Sequence, residues 1–143
     1  MNVRSKMTPY EALGGEGGIW QLVNRFYALL DELPEAYTVR KMHPESLAGS
    51  AQSLFEFLSG WLGGPPLYAA KKGHPRLRMR HAPYAVDQVV RNEWMLCMTL
   101  AVQEQVADPQ LRTWLLASFD QMASHMINTE STPPCHYGMP SSA

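Results

Sequence analysis

Five histidines, at positions 43, 74, 81, 125 and 136, are the side chains of this sequence with the widest chemical reach, because imidazole both ligates metals and titrates near neutrality. None stands in a His-Glu-x-x-His arrangement, and the two cysteines, Cys97 and Cys135, form no Cys-x-x-Cys pair, so the spacings that mark zinc are absent. Cys135-His136 is at most a weak metal pair. There is no glycine-rich phosphate loop and no Gly-x-Ser-x-Gly elbow, which leaves nucleotide and hydrolase readings without support. His81 lies between a basic stretch and a long apolar pattern. Taken alone, a single histidine in that setting is more often structural than ligating. Lys71, Lys72, Arg76, Arg78 and Arg80 crowd the stretch before it, where they either meet an anion as a cluster or simply solvate a loop.

The elements that must position these groups are helical. Thr8-Pro9-Tyr10-Glu11 supplies a capping hydroxyl, a proline for the first helical position and a glutamate that reaches back to the cap, so a short helix starts there. Gly14, Gly15, Gly17 and Gly18 then break the chain before Ile19, Val23, Phe26, Tyr27 and Leu30 recur at helical spacing to about Asp31. Pro34 opens a short helical segment to Lys41, and His43-Pro44 forces a corner, since the residue before proline avoids the α region. From about Ser46, Leu54, Phe57, Leu58 and Trp61 mark one buried helix face, which Gly63 and Gly64 end. Residues 65–80, with three prolines and many cations, read as a long loop of little regular structure. After Pro83 come two long helices. One has the stripe Val86, Val90, Trp94, Cys97 and Ala101; the other is capped by Asp108-Pro109 and has Leu111, Leu115, Met122 and Met126. No alternating strand pattern occurs, so the fold class is all-α.

Composition narrows the function. A chain of 143 residues, 45% hydrophobic and 17% charged, suits one folded domain. That domain is expected over residues 1–130, with 131–143, rich in proline and serine, as a flexible tail. A formal net charge of -1 lacks the basic field that nucleic acid or anionic lipid would use. The most apolar run, 95–102, is far shorter than the ~20 residues of a membrane span, and the first residues carry no secretory pattern, which together point to the cytoplasm. Two cysteines make no disulfide framework.

The stretch GHPRLRMRHAPY at 73–84 resembles the proximal signature of group II truncated haemoglobins. The likeness continues through RNEWMLCM at 91–98, GWLGGP at 60–65 and RFY at 25–27, in the same order, and covers about residues 9–128. It implies a truncated globin, a two-over-two helical sandwich around haem, with His81 as the proximal iron ligand. The absence of Cys-x-x-Cys-His makes the haem a non-covalent haem b. Beside His81 the resemblance makes Arg80, His74 and Tyr68 the candidates to meet the haem propionates. The pocket wall would comprise Ser50, Leu54, Phe57, Leu58, Leu77, Tyr84, Val86 and Met98, although the stripe Leu54, Phe57, Leu58 would be core in any helical protein.

On the opposite face the resemblance implies a polar distal site of Tyr27, His43 and Trp94, whose donors would stabilise bound dioxygen. Relatives carry tyrosine, phenylalanine or histidine at the corner, so three readings of His43 stand: it donates to the ligand, ligates iron itself, or faces solvent. Ser50, where other globins place a distal histidine, is too short to reach far. The implied function is reversible binding of O2 and of other small ligands such as NO, CO, peroxide or sulfide. The alternative is a redox enzyme of the same fold, a nitric oxide dioxygenase or a peroxidase-like protein, whose electrons would come from a separate, unknown reductase. A haem-independent helical interaction module is the third class. Monomer and homodimer are both compatible with the sequence.

Overall fold

A computed structural model describes residues 7–72 and 86–127 of the chain. Helix α1 (Pro9–Ala12) begins as the capping pattern requires: the Thr8 hydroxyl accepts from the Glu11 amide, and the Glu11 carboxylate accepts from the Thr8 amide, both at 3.1 Å. Gly14, at φ 104°, then turns the chain through the left-handed region that an L side chain rarely adopts. Helix α2 (Gly15–Glu32) starts four residues earlier than the apolar periodicity suggests. Gly18 serves close approach: a Cβ there would collide with the Leu13 carbonyl, so its absence lets α1 rest on the first turn of α2.

A 3-10 turn (Pro34–Ala36) leads into the short α3 (Tyr37–Lys41), and the chain rounds the corner at His43-Pro44 into α4 (Ala48–Trp61). Helix α5 (Leu67–Lys72) lies inside the segment expected to lack regular structure. Its two prolines precede it, where a missing amide donor costs nothing, and the Ala70 amide closes back on the Pro66 carbonyl at 3.0 Å. Helix α6 (Gln88–Gln105) is capped by the Asp87 carboxylate and α7 (Pro109–His125) by the Asp108 carboxylate, each accepting from a first-turn amide.

The described residues form helices and connections, with no strand among them. Helix α2 packs against α4 on one side and α6 on the other, and α6 packs against α7, which gives two pairs of helices. The core is their shared interior. Phe26, Phe119, Ile19, Leu22, Leu58, Met98 and Leu115 are almost wholly buried. Trp20 stacks on Phe55 at 4.2 Å between α2 and α4, while Phe119 of α7 touches both Trp61 of α4 (5.2 Å) and Trp94 of α6 (6.0 Å). Surface ion pairs tie the same helices: Arg25 to Glu104 between α2 and α6, and Arg91 to Asp120 between α6 and α7. No helix among the described residues is long and apolar enough to cross a membrane.

Candidate functional site: an apolar cavity with a polar edge

Where α2, the α3 corner, α4, the start of α6 and the end of α7 converge, the packing leaves a cavity of about 470 Å³, within the ~300–1,000 Å³ typical of small-molecule sites. Eight of the expected residues line it: Tyr27, His43, Ser50, Leu54, Phe57, Tyr68, Val86 and Trp94. Leu58 and Met98, also expected at the wall, are wholly buried in the core and are not among the lining residues. His81, His74, Leu77, Arg80 and Tyr84, like the tail at 131–143, lie outside the described residues. Among the described residues, no group of three His, Cys, Asp or Glu side chains is placed to hold a bare metal ion.

The polar edge is made by three rings. Tyr27 projects from α2 next to the fully buried Phe26, and the two rings meet edge to face at 4.9 Å. Its hydroxyl donates to the Ser50 carbonyl of α4 over 3.3 Å, long for an O–H···O bond, whose usual distance is near 2.8 Å. Burial pushes the phenol well above its ordinary range, so it stays neutral and keeps its proton to donate. Trp94 of α6 is wedged between Phe26 (5.1 Å) and Phe119 (6.0 Å). Among the described residues its indole N–H has no hydrogen-bond acceptor. His43 sits at the corner, half-buried, with its ring 5.9 Å from that of Tyr27 and its Nδ1 2.8 Å from the Val39 carbonyl.

The remaining walls are apolar. Phe57 and Tyr68 meet edge to face at 6.1 Å, and Leu54, Val86 and Val90 join them. Sequence reasoning missed Val39, Met42, Val90, Arg91, Met122 and Met126 as lining residues. The two α7 methionines are visible in the sequence only as a core stripe; which face of α7 meets the cavity depends on how it crosses α6. Arg91 is held at the rim by α7, its guanidinium donating to Asp120 and to the Ser124 hydroxyl.

The donor set suits a flat, largely apolar macrocycle. Aromatic and aliphatic walls can cover such a plate, and polar side chains, Tyr27, His43 and Trp94 among them, share the lining, as in a site that orients a small polar ligand. The two helical pairs and the cavity they line point to the globin class. Residues 8–128 match the model of the family described as "Bacterial-like globin". The group 2 truncated hemoglobin YjbI of Bacillus subtilis is 35% identical over 120 residues, which are 84% of this chain and 88% of that protein. Two solved structures superimpose on most of the chain. The cold-adapted truncated hemoglobin of the Antarctic marine bacterium Pseudoalteromonas haloplanktis TAC125 is 50% identical with a TM-score of 0.85, over 86% of this chain and 99% of that one. The group II 2-on-2 hemoglobin of Agrobacterium tumefaciens is 42% identical with a TM-score of 0.84, over 87% and 96%. This chain belongs to the bacterial-like globin family, as a group II truncated haemoglobin with the two-over-two fold. Membership implies a haem-binding globin.

Proposed function

We propose that the chain binds haem b non-covalently in this cavity, with His81 as the proximal iron ligand, and uses it to hold dioxygen reversibly. The observation that carries the reading is the pairing of two neutral donors on one edge of an apolar cavity: the Tyr27 hydroxyl, spent only on a long bond, and the Trp94 indole, without an acceptor among the described residues. When bound, haem would supply an iron able to take up a diatomic gas. The protein's part is then electrostatic. Tyr27 and Trp94 donate toward the partial negative charge that dioxygen acquires, each contributing about 1–3 kcal/mol where water is kept out. Leu54, Phe57 and Val86 supply apolar lining beside them. Tyr68, which lines the cavity, is assigned with His74 and Arg80 to the propionates, and Leu77 and Tyr84 to the proximal wall. The same reading places the protein in the cytoplasm and the globin in residues 1–130.

The test is a ferrous absorption spectrum together with the oxygen dissociation rate. A Soret band and slow release are expected. A purified sample that shows no Soret band after haem supplementation rules the reading out.

A further inference from the structure

Val39, Met42, His43 and Pro44 face the cavity from a corner that is too short to hold itself in place. Helix α3 has five residues, far below the ~12–15 at which an isolated helix becomes even marginally stable. Its N-cap, Ala36, has no side chain able to accept a hydrogen bond, and the first-turn amides of a helix find no carbonyl within it. The position of this wall is therefore set by the bonds that reach it from other helices.

Two side chains anchor it to different neighbours. From α6, a Glu93 carboxylate oxygen accepts from the amide of the buried Val39 at 2.8 Å, across 54 residues of sequence. Toward α2, Arg40 Nε donates to the Asp31 carboxylate at 2.8 Å, while its two terminal nitrogens donate to the Pro44 carbonyl at 3.0 Å and the Glu45 carbonyl at 2.8 Å. One guanidinium thus ties the start of the corner both to α2 and to the corner's own end, and Met42 and His43 lie inside the loop it closes. Each of these bonds has a charged partner, which makes it stronger than a neutral one. Trp94 follows Glu93 on α6 and lines the cavity, so the turn of helix that carries the indole also carries the anchor of the facing wall.

We infer that Glu93 and Arg40 are positioning residues that hold the α3 corner against α6 and α2, and that by doing so they set the largest ligand the cavity admits. The inference rests on the proposed haem site. With the corner held, a diatomic gas fits beside Tyr27 and Trp94, whereas a ligand bearing a branched alkyl group meets Met42 and His43. Releasing an anchor raises the share of molecules whose corner stands open. That change in population acts on bulky ligands, which need the open form, and passes over small ones, which bind both forms equally.

Alkyl isocyanides are the probe, because their terminal carbon binds ferrous haem as carbon monoxide does while the alkyl group can be varied in bulk. The readout is the association rate of tert-butyl isocyanide divided by that of carbon monoxide, a ratio in which changes at the iron common to both cancel. Glu93→Ala is expected to raise it at least about tenfold, the worth of one hydrogen bond to a charged group, with carbon monoxide association nearly unchanged. Glu93→Gln keeps a carbonyl acceptor and should stay close to the parent. Arg40→Leu should raise the ratio as well, and it carries the test if Glu93→Ala does not fold. Exchange of the Val39 amide, followed by NMR of the nitrogen-15-labelled carbon monoxide complex, reads the anchor directly: slow in the parent and in Glu93→Gln, and at least about tenfold faster in Glu93→Ala. Ratios within about twofold of the parent in both Glu93→Ala and Arg40→Leu overturn the inference, as does a Val39 amide that exchanges equally fast in the parent and in Glu93→Ala. Failure to take up haem would instead sink the proposed function, and Val39 exchange in that haem-free sample would still decide whether Glu93 holds the corner.

Discussion

The Tyr27 hydroxyl and the Ser50 carbonyl face each other over 3.3 Å, joining α2 to α4 at the edge of the cavity. A bond of that length is weak enough to exchange for a better acceptor, and the buried phenol keeps its proton in order to do so. Tyr27→Phe preserves the ring's packing on Phe26 and removes only the donor. Oxygen release from the haem-loaded variant is expected to be faster by about tenfold per 1.4 kcal/mol lost, read by stopped-flow displacement.

Trp94→Phe tests the second donor. The indole's contacts with Phe26 and Phe119 make a smaller apolar ring the mildest replacement. Release is again expected to quicken, and the effect of changing both residues should differ from the sum of the single effects, because one ligand would be shared. Off-rates within about twofold of the parent in all three variants would remove the polar-edge account and reduce both rings to packing.

His81→Gly addresses the proximal assignment. Loss of the native spectrum is expected, with recovery on adding imidazole, since a free ring can occupy the space of the deleted one. A native spectrum indifferent to imidazole would show that another group holds the iron.

Phe119 is the structural counterpart. It is fully buried, and it touches Trp61 and Trp94, so one ring braces two helices and a cavity residue. Phe119→Ala should cost about 3–5 kcal/mol in urea unfolding. Removing the surface Arg25–Glu104 pair should cost far less. The opposite ranking would mean that charge, rather than aromatic packing, holds α6 in place.

Cys97 offers a pH signature. Burial, aided by the nearby Glu93 charge, pushes its thiol up to about 11. The unfolded chain's thiol ionises lower, near about 8.5. Between those values the unfolded state binds fewer protons, so stability is full below the unfolded value and falls as pH rises toward the folded one. Urea midpoints across that window should decline less steeply in Cys97→Ala than in the parent; equal slopes would refute the assignment.

What was legible in the sequence was local. Thr8 and Asp108 announce their helices because a cap and its amide lie within three residues, and Phe26, Leu58 and Leu115 announce the core through helical spacing. Tyr27, His43 and Trp94 come from three separate elements; residue types and family likeness named them, while only the folded chain brings them to one cavity. What escaped was set by packing angles and long-range pairing. Leu58 and Leu54 differ by one helical turn, yet only Leu54 reaches the cavity. The Glu93–Val39 bond has no sequence signature at all, and α5 was hidden by the prolines that precede it.

The order of side chains on α6 has an evolutionary consequence. Val90, Arg91 and Trp94 line the cavity while Glu93 reaches the α3 corner, so four functions are written into five consecutive positions. Inserting or deleting one residue within 88–92 would swing everything before it by about 100° around the helix axis relative to everything after it. A shift before Val90 swings the Asp87 cap and Val86 away from the rest, and one between Arg91 and Glu93 separates the rim arginine from the Glu93 contact. Lineages of this chain should therefore change length at 106–108, between α6 and α7, and stay fixed in length from Asp87 to Trp94, a pattern that counting gaps among natural variants would reveal.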